Sequence, residues 1–313
     1  TQSFWLGDKV VTVSGSTARL LTASGRVLRT LTMPAPIVAT AHEGRRFAFL
    51  DEAGTVGIDW TGGQGFNPDF HMTAIAFEPD GTLLGGQENG DVGTAMRLVA
   101  KAGVPVLSIS TGGDRFLIRT ATELRVYSDD GTLVSTIRAA ADHAILSPGG
   151  LGVATSKGKV AQLWDATTGK LLNTLSGHSS GITALAYSPN GIELVTVSSD
   201  NVGLVWNARG GHLIHRLIGH FFPIYAVSWS RDGQWIATAS QFTAGLWNAA
   251  TGQLMFYVGR TLAPLTGAAF SPTGYSILTG SLDGTTRVYD CEVCAPLAQL
   301  EQLARVRIGR LAP

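Results

Sequence analysis

Apolar and polar residues alternate with a period of two along most of this chain, in runs of five or six broken by Gly, Asn, Asp, Ser and Pro. Ile182-Thr183-Ala184-Leu185-Ala186-Tyr187 is one such run, and its spacing predicts a strand. Ser188-Pro189-Asn190-Gly191 follows with turn chemistry, because Pro presets φ and Gly tolerates positive φ. Glu193-Leu194-Val195-Thr196-Val197 predicts a second strand, and Ser199-Asp200-Asn201 a tight turn. Val202-Gly203-Leu204-Val205-Trp206 predicts a third strand. After Ala208-Arg209-Gly210-Gly211, His212-Leu213-Ile214-His215-Arg216-Leu217 predicts a fourth. Four short antiparallel strands joined by hairpins form one sheet. Helical periodicity is missing from these stretches, and the chain reads as all-β.

The sheet recurs. Leu163-Trp164-Asp165, Val205-Trp206-Asn207, Leu246-Trp247-Asn248 and Val288-Tyr289-Asp290 place their aromatic residues 42, 41 and 42 positions apart. The first turn returns as Ser230-Arg231-Asp232-Gly233 and Ser271-Pro272-Thr273-Gly274. A fixed period in the forties marks one supersecondary unit stacked many times. More degraded copies occupy the same slot at residues 17–21, 54–60, 91–96 and 122–127, giving eight hairpins between third and fourth strands. Eight four-stranded sheets set radially make a β-propeller, which protects its strand edges by closing into a ring.

Residues 1–295 are read as the propeller and 296–313 as a short C-terminal helical tail. Leu297, Leu300, Ala304, Arg307 and Leu311 fall at helical spacing there, with Pro296 near the start. If the tail displaces the last sheet's fourth strand, a strand from residues 1–31 could complete that sheet and leave seven blades. Eight is the favoured count.

Composition narrows the functional classes. In 313 residues, 44% are hydrophobic, ample for a core, while 15% charged is low for a soluble protein. The 23 basic and 23 acidic residues cancel, and no basic run stands out until the last few residues. That argues against a nucleic-acid grip, which needs clustered Lys and Arg to neutralise phosphates. No apolar stretch approaches the roughly 18–20 residues that span a bilayer. Thr1-Gln2-Ser3-Phe4-Trp5 has neither the charged nor the apolar region of a signal peptide, and the chain starts without Met, as a fragment or processed form would. Two cysteines make no disulfide scaffold, so a reducing, cytoplasmic setting is expected.

Gly177-His178 and Gly219-His220 lie 42 residues apart. With Trp164-Asp165 and its softened forms Trp206-Asn207, Trp247-Asn248 and Tyr289-Asp290, they resemble WD40 repeats, strongly over residues 140–295 and weakly over 1–139. The resemblance implies a hydrogen-bonded tetrad in each well-formed blade: His from the incoming loop, Ser or Thr from the second strand, Asp from the next turn and Trp from the third strand. One blade matches in full through His178, Thr196, Asp200 and Trp206. The next keeps His220, Thr238 and Trp247, but its turn reads Ser240-Gln241-Phe242 and lacks the Asp. The last keeps Thr279 and Asp283, with Arg260 where His is expected and Tyr289 for Trp.

His, hydroxyl and Asp are also the parts of a catalytic triad. This set repeats imperfectly, whereas an active site is unique. Buried Asp and His also need partners, which the Thr hydroxyl and indole N–H supply. These residues are therefore read as structural, and no catalytic residue is assigned.

Other chemistry is sparse. Cys291-Glu292-Val293-Cys294 could be half of a zinc site, but zinc wants four ligands and no other Cys exists. The pair is read as two packed thiols, with a disulfide as the next alternative. His212 and His215, three apart on a strand, point to opposite faces and make no metal pair. No glycine-rich loop leads from a strand into a helix to cradle phosphate. No cofactor or metal is expected.

In a propeller, the loops entering each first strand and those between second and third strands converge on one face. There Gly177-His178-Ser179-Ser180-Gly181-Ile182 becomes Gly219-His220-Phe221-Phe222-Pro223-Ile224, two serines giving way to two phenylalanines. Phe242, in the turn that lacks Asp, falls on the same face. Phe221, Phe222, Phe242 and Arg260 are the candidate partner-binding residues, since large exposed aromatics make interface hot spots. The alternative is that Phe221 or Phe222 plugs the central channel or packs on the next blade.

A propeller enzyme would instead need several Asp, Glu or His at the inner-strand starts. These read Ile182-Thr183-Ala184, Ile224-Tyr225-Ala226, Leu265-Thr266-Gly267 and Met72-Thr73-Ala74, with His71 and His143 as the few candidates. The chain as a whole also resembles the WD40 regions that bacteria attach to STAND-type ATPases or serine/threonine kinases, on its ending of Cys291-x-x-Cys294 followed by Leu- and Arg-rich residues. That implies a non-catalytic scaffold or ligand-sensing module: a monomeric domain of a larger signalling protein, binding a protein or peptide rather than nucleic acid or membrane.

Overall fold

The computed structural model of the chain describes residues 2–43, 46–58, 63–64, 72–78, 80, 82–94, 98–259, 261–274, 276–291 and 294. Hairpin turns between short alternating runs pair each strand with the strands next to it in sequence, and every sheet is antiparallel in sequence order. Eight such sheets form the blades. Blade one runs from Gln2–Leu6 to Val27–Thr32, blade two from Ile37–Glu43 to Gly63–Gln64, and blade three from Met72–Phe77 to Leu98–Lys101. Blades four and five run from Ser108–Gly112 to Leu133–Ile137 and from His143–Leu146 to Leu171–Ser176. Blades six and seven span Ile182–Tyr187 to Leu213–Ile218 and Ile224–Trp229 to Leu254–Val258. In blade eight, Leu265–Phe270, Ser276–Ser281 and Thr286–Asp290 are the three strands among the described residues.

Both faces of a blade press on neighbours, so the second strands are apolar or small at nearly every position. Trp235–Ser240 is buried at all of its residues, whereas the outer strand Val27–Thr32 is largely exposed. Val195, Val197 and Val205 of blade six pack on Ile224, Ile236 and Trp247 of blade seven. Trp5 and Val10 of blade one meet Leu278 of blade eight, and the Ser3 and Thr286 hydroxyls bond at 2.6 Å beside them.

The ring thus closes side by side, with Gln2–Leu6 paired to Lys9–Ser14 of its own blade. Eight blades form, and the seven-bladed arrangement with a swapped terminal strand is not adopted. The reason is local: Gly7, at a φ of 62°, lets the first two strands join through a two-residue turn, which costs far less closure entropy than pairing with a strand nearly the whole chain away. The tail 296–313 and its expected helix lie outside the described residues.

Small hydroxyl residues of the inner strands have a structural use. Thr183 donates to the carbonyl oxygen of Ile224, and Ser228 to that of Ala268 at 2.8 Å. Thr111 donates to Phe77 O at 2.6 Å, and the Leu146 N–H donates to Ser110 Oγ at 3.0 Å. These hydroxyls tie neighbouring blades together around the central channel.

One expectation is overturned. Cys291 and Cys294 are joined in a disulfide rather than held as two thiols. The Cys294 N–H donates to Cys291 O at 3.0 Å, and this tight turn brings the two Cα atoms to 5.3 Å, within bridging range. Both cysteines are buried with Leu246, Val258 and Leu265 in the core between blades seven and eight.

Candidate functional site

The upper face of the ring, where incoming loops and second-to-third-strand turns meet, is built on a polar hub in each regular blade. In blade six the hub is complete. Thr196 lies on the fully shielded second strand, and its hydroxyl receives the Trp206 indole N–H at 3.0 Å. The same hydroxyl lies 2.8 Å from His178 Nε2, and His178 Nδ1 lies 3.0 Å from Asp200 Oδ2. A carboxylate only accepts, so Nδ1 carries the imidazole proton and Nε2 accepts from Thr196. Asp200 also takes the backbone N–H of Ser179 at 2.8 Å and of Val202 at 3.1 Å. Burial works against the Asp200 charge, but these donors and the imidazole outweigh it and hold the carboxyl below its ordinary range. One Thr thereby fixes loop, turn and third strand together.

Blade seven keeps the hub and loses its anchor. Thr238 Oγ1 receives the Trp247 N–H at 2.8 Å and lies 2.7 Å from His220 Nε2. Phe242 stands four residues after Thr238, as Asp200 stands four after Thr196. The turn is also one residue shorter: five residues separate the paired Val197 and Gly203, but four separate Ala239 and Ala244. An aromatic ring thus replaces the carboxylate. His220 packs against the rings of Trp247 and Tyr257, at 5.8 and 5.7 Å, and burial pushes its pKa down to about 4.

The same substitutions make a pocket. Phe221 is 82% exposed and Phe222 43% exposed, so neither ring is buried. Phe222 and Phe242 meet edge to face at 5.2 Å. With Phe221, Thr243, Tyr257 and Gly259 they line an open cavity of about 460 Å³. Their main chain is pinned while their rings are displayed. Asn201 Nδ2 donates to Phe221 O at 3.2 Å, Ser240 Oγ to Phe222 O at 2.9 Å, and the Thr261 N–H to Phe242 O at 3.1 Å. Tyr257 donates its hydroxyl to Gly219 O, closing the outer side. Arg260 lies outside the described residues, although its neighbour Gly259 lines the cavity.

Blade eight carries Thr279, Asp283 and Tyr289, and among the described residues they form no connected hub. Asp283 accepts from the backbone and hydroxyl of Thr285 in its own turn, at 2.8 and 2.6 Å. The spacing of eighteen residues from His178 to Thr196, and from His220 to Thr238, leads back from Thr279 to Thr261, which is buried. Leu262 and Leu282, on this blade's upper loops, are exposed beside the aromatic pocket's blade.

Two sets of residues escaped the sequence reading. Ser198, Ser240 and Ser281 each donate to carbonyls of the incoming loop and so position it. Each stands two residues after the hub threonine, a spacing that could have revealed them. Trp164 donates to Thr155 at 3.0 Å in blade five, a half-formed hub whose nine-residue spacing matches Thr238 to Trp247. Of the two channel histidines, His71 lies outside the described residues. His143 sits at the channel mouth with Arg119 and Asp142. Among the described residues, no group of three or more His, Cys, Asp or Glu gathers as a metal site, and no helix is long and apolar enough to cross a membrane.

A family profile described as "WD domain, G-beta repeat" matches residues 169–207, 211–248 and 253–290. The first match begins ahead of the outer strand of blade five and ends on the third strand of blade six, so the sequence repeat is offset from the blade by one strand. The nuclear distribution protein PAC1 of Mycosarcoma maydis is 42% identical over 59 residues, 18% of this chain and 13% of that protein. The autophagy-related protein 16 of Arabidopsis thaliana is 48% identical over 40 residues, 13% of this chain and 8% of that protein. The chain therefore spans a small part of these relatives. The crystal structure of the computationally designed Ika8 protein superposes with a TM-score of 0.77 at 20% identity, covering 92% of this chain and 95% of that one, a likeness of fold.

Proposed function

Because the chain is a WD40-repeat β-propeller of eight blades, a type that serves as a protein-interaction scaffold, we propose that it is a non-catalytic module that binds a protein or peptide on its upper face. The observation that carries this reading is the aromatic pocket of blade seven. Phe221, Phe222 and Phe242 expose apolar surface around a cavity in a blade whose neighbour uses Ser and Asp at the same positions. An exposed aromatic cluster on a fixed backbone suits a binding hot spot, since a partner can desolvate it with little ordering entropy left to lose. Arg260, next to Gly259 in sequence, belongs to the proposed contact set.

The hub residues His178, Thr196, Asp200 and Trp206, with His220, Thr238 and Trp247, act as scaffold. Thr279, Asp283 and Tyr289 take the corresponding places in blade eight. The ending at Cys291-x-x-Cys294 supports placement within a larger bacterial signalling protein, as a monomeric domain in the cytoplasm. Burial of the disulfide shields it from thiol exchange, which needs access to a sulfur.

Replacing Phe221 and Phe222 together by Ser, as in blade six, is expected to weaken partner capture at least about tenfold. The melting midpoint should stay nearly unchanged, because both rings already face solvent. Affinity capture with the folded double variant, quantified against the parent, is the test. Undiminished capture would remove the pocket from the binding surface.

A further inference from the structure

A second site is lined by residues of blades four, five and six. Arg119 ends the second strand of blade four, Arg115–Arg119. Its Nε–H donates to Ser108 Oγ at 3.0 Å, and Nη1 donates to Ala141 O at 3.2 Å in the loop entering blade five. Two bonds from two blades set the plane of the guanidinium. Among the described residues no carboxylate lies within 4 Å of it. The nearest acid, Asp142, is occupied by Lys157 Nζ at 2.7 Å and by the Gly158 N–H at 2.9 Å. Burial disfavours the Arg119 charge, and Asp142 offsets this only in part, from beyond contact distance.

Below the guanidinium the walls are apolar. Ser108, Arg119, Asp142 and His143 line a pocket of about 240 Å³ together with Ala144, Ile145, Ala184 and Leu185. Ile145 and Leu185 also line a further cavity of about 490 Å³ that reaches Phe77 and Tyr187. A planar fork of donors matches the paired oxygens of a carboxylate. Asp142, close enough to act electrostatically on Arg119, opposes a second negative charge, which disfavours a phosphate monoester. His143 adds no lasting positive charge, because burial and the neighbouring Arg119 push it toward its neutral form.

We propose that Arg119 and the apolar wall of Ala144, Ile145, Ala184 and Leu185 bind a carboxylate carried on a small apolar body. A peptide ending in an apolar residue presents that chemistry at its C-terminus, and so does a free branched-chain acid. The guanidinium takes the carboxylate and the side chain lies against the wall.

The test uses the intact chain and three probes: a fluorescein-labelled hexapeptide ending in Leu with a free carboxylate, the same peptide as its C-terminal amide, and N-acetyl-leucine as an unlabelled competitor. Fluorescence anisotropy should show the acid binding at least about tenfold tighter than the amide. Arg119→Gln should reduce the acid to the affinity of the amide, and Arg119→Lys should recover part of the difference. Competition by N-acetyl-leucine at the affinity of the peptide acid supports the site with a free acid as its ligand. Competition ten or more times weaker supports it with a peptide C-terminus. Equal binding of acid and amide to the parent chain, unaltered binding of the acid by a folded Arg119→Gln, or no binding of either peptide overturns the proposal. The acid-to-amide ratio of the parent decides the matter even if Arg119→Gln does not fold.

Discussion

Thr196→Val should destabilise the propeller by about 2–6 kcal/mol. The shape is conserved, so no cavity opens. The loss is electrostatic: the buried Trp206 N–H loses its acceptor at 3.0 Å and His178 Nε2 loses its donor at 2.8 Å. Each orphaned group costs about 1–3 kcal/mol because no water reaches it. Urea titration of both proteins should show a lower midpoint at an unchanged slope, the mark of a stability change without a change in compactness. A loss below about 1 kcal/mol would mean that this hydroxyl is not the hub of blade six.

Acidification should cost about 3 kcal/mol through His220 alone as the pH falls from about 6.5 to about 4. Burial among Thr238, Trp247 and Tyr257 depresses the folded-state pKa to about 4, from the ordinary 6.5. In that window the unfolded chain binds a proton that the folded chain refuses, so protons favour unfolding. The contribution is complete above pH 6.5 and is lost as the pH falls toward 4. Restoring the missing anchor with Phe242→Asp, at the position that Asp200 holds in blade six, should flatten this dependence by giving the imidazolium a partner. Stability measured at pH 7 and at pH 4.5 in the parent and in Phe242→Asp checks both halves. Parallel losses in the two proteins would assign the acid sensitivity to other groups. The same variant should also disturb the aromatic pocket, since Phe242 stacks edge-on against Phe222.

Much of the platform was legible in the residues. The alternation over Ile182–Tyr187 and Glu193–Ser198, the turn residues between them and the beat of Trp164, Trp206, Trp247 and Tyr289 report on neighbours within one hairpin. The departures were legible too, because a doubled Phe after Gly219-His220 stands out against Ser179-Ser180. What those rings do with their surface was not. Phe221 and Phe222 could equally have filled the channel, and only the placement of Asn201 and Ser240 against their carbonyls shows why they point outward. The loop serines were overlooked for a similar reason: Ser is common everywhere, and its use shows only when the carbonyl it meets is known.

The residues by themselves determined the strands, the turns, the blade and its repetition, because period-two burial and turn chemistry are properties of consecutive positions. The tertiary structure alone decided the rest. It set the closure of blade eight on blade one without a strand exchange, the bond between Cys291 and Cys294, and the pairing of Asp142 with Lys157 rather than with Arg119. Each of these turns on which groups meet across blades or within a folded turn. A repeating sequence specifies every blade nearly alike, so it is silent about the contacts that make one blade differ from the next.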